Sequence, residues 1–152
     1  MVRESKPKVA LERHLKEFSQ LFKEFKPKRE EKREGPAVFA LAEAFAAGDK
    51  RRAWAMYAEM REHGEEPEPI HGMLFWAAKA LYLSRIARSE AEAGEFGVTG
   101  FSYRKYKGYA KDRDPEDLLS LVSRLKDMYH DAHEGKSDLS LSLEQFLLET
   151  HR

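Results

Sequence analysis

The sequence predicts an all-α protein: a compact bundle of about six helices preceded by a charged N-terminal helix. Three observations predict it. Apolar residues recur at helical spacing along nearly the whole chain, with no convincing period-two alternation that would mark a strand. Pro36, Gly48, Gly64, Pro115 and Gly135 fall at the edges of these periodic segments, where they start or stop helices. Finally, 152 residues with 41% hydrophobic and 36% charged content suffice for one buried core under a charged surface.

The first periodic segment runs from about Val9 to Phe25, with Leu11, Leu15, Phe18, Phe22 and Phe25 as its apolar stripe. It leads into "KPKREEKREGP", residues 26–36, which is charged, lacks apolar anchors and reads as a solvated linker. From Val2 to Glu34 there are eleven Lys/Arg against seven Asp/Glu, a local positive excess. Residues 1–35 are therefore expected to be an appendage or partner-binding helix with its linker, and residues 36–152 the main domain.

Pro36 opens that domain. Val38, Leu41, Ala42 and Phe45 give a short helix one apolar face, and Gly48 ends it. Asp49 is placed to cap a second helix, with Ala53, Trp54, Tyr57 and Met60 inward and Gly64 at its end. After the turn "EEPEP", a long third helix is expected from about Pro69 to Ala91, with Ile70, Met73, Leu74, Ala77, Ala78 and Leu81 inward and Arg85 at the edge. It is apolar over more than one face, which predicts a central position. "EAGEFGVTG" reads as a loop. "GFSYRKYKGYAKDR" then forms a helix. The next starts with Asp114 as N-cap, Pro115 at the first position, and Glu116 and Asp117 in the first turn. Leu118, Leu121, Val122, Leu125, Met128, Tyr129 and Ala132 form its apolar face and Gly135 stops it. Ser137 or Asp138 caps a final helix with Leu139, Leu143, Phe146 and Leu147 inward.

Composition excludes several function classes. There is no cysteine, hence no disulfide, thiol nucleophile or cysteine-ligated zinc; this suits a reducing compartment, and a cytoplasmic location is expected. The N-terminus has no apolar signal core, and no run approaches the ~18 apolar residues of a membrane span. The formal net charge is zero, so any nucleic-acid binding must come from a local patch.

One such patch is the stretch from Gly100 to Arg113, where three tyrosines and a phenylalanine interleave with Arg104, Lys105, Lys107, Lys111 and Arg113. Cations for phosphates and rings for bases are the ingredients of a nucleic-acid surface. On a helical wheel, however, Tyr103, Tyr106 and Ala110 lie on one side and Arg104, Lys107 and Lys111 on another, as in a docked amphipathic helix with its lysines in solvent. The two readings are compatible, so Arg104, Lys105, Lys107 and Lys111 are candidate phosphate contacts.

Other motifs carry less. "HEGKSD" has the tail of a phosphate-binding loop, but the required glycine five residues earlier is His130, on a helix. His130 and His133 share a helix face, yet no third or fourth metal ligand is placed near them, and polar side chains in a last helical turn account for both. His71, opening an apolar helix, is expected to be buried and to donate to a backbone carbonyl. No nucleophile elbow, zinc-protease helix or dinucleotide fingerprint is present. No enzyme, cofactor, metal or small-molecule substrate is expected.

The order of motifs "VFALAEAFAAGDKRRAWAMYAEMREHGEEPEPIHGMLFWAAKALYL" resembles the start of the C-terminal domain of delta, a component of bacterial DNA polymerase III. Phe39, Gly48, Asp49, Ala53, Trp54, Gly64 and Pro67 or Pro69 match that order. "GFSYRKYKGYAK" falls at its proline-aromatic turn and lysine-bearing helix, and "LLSLVSRLKDMYHDAHEGKSDLSLSLEQFLLET" at its closing helix pair, with Leu143, Glu144, Phe146 and Leu147 in the last helix. The resemblance covers residues 36–150. It departs at Ser102, where proline is usual, and at Tyr129 and His133, where many members carry aspartate and lysine. The family's two N-terminal AAA+-like domains, which engage the sliding clamp, have no counterpart in these 152 residues. The resemblance implies a non-catalytic helical collar module that assembles beside other clamp-loader subunits, of gamma/tau and delta-prime type, in DNA replication. DNA would be reached through that complex. The alternative is a small helical nucleic-acid-binding protein built on the basic-aromatic helix.

Overall fold

The computed structural model describes residues 35–149, which form seven α-helices and no strand. They are α1 (Gly35–Ala46), α2 (Lys50–Glu62), α3 (Pro67–Ile86), α4 (Glu90–Gly94), α5 (Gly100–Ala110), α6 (Pro115–His133) and α7 (Leu139–Glu149). The expected helix at residues 9–25 and its linker lie outside the described residues.

Helix α3 is the hub. Ile70, His71, Leu74, Phe75, Ala77, Ala78, Ala80, Leu81, Tyr82, Leu83 and Ser84 are all buried, so nearly every side of the helix faces protein. It packs against α6, α5, α1 and α7. Ala77, Ala78 and Ala80 are small enough to let neighbouring backbones approach, while Leu74, Leu81 and Leu83 fill the spaces between them. The apolar breadth expected from the sequence thus has its cause in four surrounding helices.

The polar residues of the core tie elements together. His71 is fully buried and its Nε2 lies 2.8 Å from the Leu125 carbonyl of α6. A carbonyl only accepts, so Nε2 carries the proton. Burial holds the His71 pKa down at about 4. Tyr57 of α2 donates to the Ser140 carbonyl of α7 at 2.9 Å, and Trp54 Nε1 donates to Glu144 at 3.3 Å. Arg85 Nε donates to the Arg113 carbonyl, and Arg113 in turn donates to the Ala46 carbonyl at the end of α1.

Helix ends follow the local chemistry. Asp49 accepts from the Arg52 amide, Asp114 from the Glu116 amide and Asp138 from the Ser140 and Leu141 amides, so three helices start on an aspartate cap. Gly48 (φ 82°) closes α1: the Asp49 amide returns to the Ala44 carbonyl and the Gly48 amide to Phe45. Gly135 (φ 76°) closes α6 in the same way, through Lys136 to Asp131.

Two boundaries differ from expectation. The long helix begins at Pro67 and ends at Ile86, not at Ala91. Ala87 turns extended, and Ser89 then caps a separate short helix, α4, by accepting from the Glu92 amide, while Glu92 accepts from the Arg88 amide at 2.7 Å. The Ser89 cap, with the Glu92 carboxylate reaching back to the Arg88 amide, starts a new helix inside a continuous periodic pattern. It raises the helix count to seven and turns the beginning of the expected "EAGEFGVTG" loop into helix. On α6, Leu118, Leu121, Val122 and Leu125 are buried as expected, but Met128, Tyr129 and Ala132 are only half-buried because the helix runs past the core.

Candidate interaction surface

Helix α5 carries the basic-aromatic stretch, and its two sides have different surroundings. Tyr103 and Tyr106 keep only 6% and 5% of their surface, and Ala110 none. The Tyr106 ring meets Trp76 of α3 edge-to-face at 5.3 Å and Tyr109 at 5.7 Å. Burial pushes the Tyr106 hydroxyl pKa well up. Rings committed to the core are not a platform on which bases stack.

The cations of α5 are distributed unevenly. Arg104 pairs with Glu90 of α4 at 3.3 Å. Lys105 pairs with Glu43 of α1, and that hydrogen bond raises its pKa. Lys107 lies 3.3 Å from the Tyr103 hydroxyl and over its ring. Lys111 is exposed. Arg104, Lys107 and Lys111 share the outer side of the helix, whereas Lys105 joins α5 to α1.

The surface also carries apolar side chains that the core does not use. Phe39 of α1, Phe101 of α5, and Leu141 and Leu148 of α7 are exposed. Leu141 and Leu148 are seven residues apart, two helical turns, and stand on one face of α7 opposite buried Leu143, Phe146 and Leu147. Phe39 and Phe101 each lie one turn before a member of the Glu43–Lys105 pair. Sequence periodicity finds the buried stripe of a helix readily; Leu141 and Leu148 escape it because Leu-rich α7 is apolar on both sides.

The histidines fall where helix ends put them. His130 and His133 are exposed in the last turn of α6. The Tyr129 ring lies between His71 at 5.5 Å, stacked, and His133 at 4.0 Å, tilted, so the three rings form one cluster at the buried histidine. Among the described residues no group of three or more His, Asp or Glu side chains is arranged to hold a metal ion, and no helix is long and apolar enough to cross a membrane.

A family model described as "DNA polymerase III delta subunit, C-terminal domain" matches residues 36–150. No curated protein and no solved structure matches the chain. The family match takes in all seven helices but the first residue of α1, and the chain belongs to this family.

Proposed function

We propose that this member of the family of delta C-terminal domains is a non-catalytic oligomerisation module of the clamp loader, serving DNA replication by holding neighbouring subunits together. The observation that carries the proposal is the family match over residues 36–150. The geometry supports it: polar groups in the core are spent on joining helices, and large apolar side chains stand on helix faces. The Leu141–Leu148 face of α7 is the contact surface, and its occupant is a helix of a gamma/tau-type or delta-prime-type subunit, the partners that the family resemblance implies. Two leucines two turns apart fit the groove of a facing helix.

Sedimentation of the chain with its gamma/tau-type subunit should show a complex. Leu141→Ser/Leu148→Ser should weaken it by about tenfold or more, since each exposed leucine is worth roughly 1.5–3 kcal/mol once buried. A complex of unchanged affinity in that variant would move the contact elsewhere; no complex with either partner would remove the assembly reading.

A second reading rests on the outer side of α5, where Arg104, Lys107 and Lys111 stand in a row with Lys105 beside them. Phosphate contact there would appear as DNA binding that weakens steeply with salt, through counterion release.

A further inference from the structure

The exposed leucines of α7 have a carboxylate on each flank, and the two carboxylates differ in what answers their charge. Leu141 and Leu148 are 59% and 45% exposed. Glu144 stands one turn after Leu141 and one turn before Leu148, on the flank toward α2, where it meets Trp54. Glu149 stands on the flank toward α6, where Arg124 pairs with it at 3.3 Å. Glu144 receives the indole N–H of Trp54 at 3.3 Å. Among the described residues no lysine, arginine or histidine forms an ion pair with it.

The Trp54 bond positions the Glu144 carboxylate without neutralising it, because an indole N–H is an uncharged donor. One turn earlier on α7, the Ser140 carbonyl accepts from the Tyr57 hydroxyl at 2.9 Å, so two bonds from α2 hold this flank in place. Glu144 is half-buried already. A helix laid over Leu141 and Leu148 takes more water from it. Desolvating a carboxylate that has only a neutral donor opposes the gain from covering two leucines. A cation on the incoming helix turns that cost into an attraction, and the carboxylate has lone pairs to spare for it beyond the one the indole uses. Glu149 makes no such demand, since Arg124 already answers it.

We propose that Glu144 is the charge-recognition point of the α7 face, and that the helix which docks there carries an arginine or lysine among the apolar residues covering Leu141 and Leu148. The inference rests on the assembly reading of α7 and adds the chemistry of the partner: a helix that is apolar throughout, or acidic at the position opposite Glu144, is discriminated against. The cation belongs on the α2 side of the leucine pair, the flank on which the unpaired carboxylate stands.

The test is sedimentation of the full chain with the gamma/tau-type and the delta-prime-type subunit in turn. Glu144→Gln keeps an acceptor for the Trp54 indole and removes only the charge, so the free variant should unfold at the wild-type midpoint. Its affinity for the partner should fall about tenfold, the difference between a charge-assisted and a neutral hydrogen bond. Glu144→Lys should weaken binding further, by about a hundredfold, because like charges then meet. Wild-type affinity in Glu144→Gln, with binding still weakened in Leu141→Ser/Leu148→Ser, would overturn this inference and leave the assembly reading of α7 standing. Undiminished binding in the leucine variant, or no complex with the wild-type chain, would overturn the α7 reading and this inference with it.

Discussion

His71 is the residue whose chemistry is most constrained. It is sealed between α3 and α6, it donates to the Leu125 carbonyl, and Tyr129 covers it. Charging this ring in place would put a cation where burial opposes it. The free imidazole titrates near 6.5 and the folded one near 4. The unfolded chain therefore binds the extra proton first as pH falls, and stability is lost between about pH 6.5 and 4. Over that window the loss should be on the order of 2–3 kcal/mol, measurable by urea unfolding at pH 7 and pH 4.5. His71→Gln keeps a donor for the carbonyl and removes the titration, so its stability should change much less over the same range; an equal loss in both proteins would assign the acid sensitivity to other groups. Leu81 tests packing rather than charge. It is fully buried on the hub helix, and Leu81→Ala should cost about 2–5 kcal/mol by removing contacts that four surrounding helices cannot close over.

Helix starts are set by single side chains. Asp114→Ala should cost about 1 kcal/mol, seen as a lower midpoint in thermal unfolding, because the Glu116 amide loses its acceptor. Ser89→Ala should act more locally, raising amide exchange in α4 and leaving the protected core of α3 unchanged. These caps also show which parts of the fold can be read from sequence. Asp49, Asp114 and Asp138 stand before apolar-periodic segments, and Gly48, Gly64 and Gly135 stand after them, so those helices are legible with nearly correct ends. The break at Ala87 is not, because hydrophobic period runs through it and only the Ser89-x-x-Glu92 signature marks a new start. Burial of His71 and of Tyr103 and Tyr106 follows from their place in apolar stripes. The ion pairs of Arg104 and Lys105 do not, since they depend on how α4 and α1 lie beside α5. The inward side of α7 is legible as Leu139, Leu143, Phe146 and Leu147, but the exposure of Leu141 and Leu148 on its other side depends on which neighbours the fold supplies.

At the scale of the whole molecule, one buried hub helix, polar bonds that join helices through backbone carbonyls, and leftover apolar side chains on outer faces describe the bundle over residues 35–149. If α7 is the docking face, the α5 cations contribute little to assembly, and Lys107→Ala/Lys111→Ala should leave the affinity for partner subunits within about twofold. Salt separates the two functional readings at this scale. Apolar docking changes little with ionic strength, whereas phosphate contact weakens steeply. The deciding measurement is size exclusion with light scattering of the full chain mixed with the gamma/tau-type and delta-prime-type subunits of the same organism, at low and high salt. A stoichiometric complex that persists at high salt is the predicted result. No complex at either salt, together with salt-sensitive retention of the chain on DNA, would contradict the assembly role and transfer function to the exposed cations of α5.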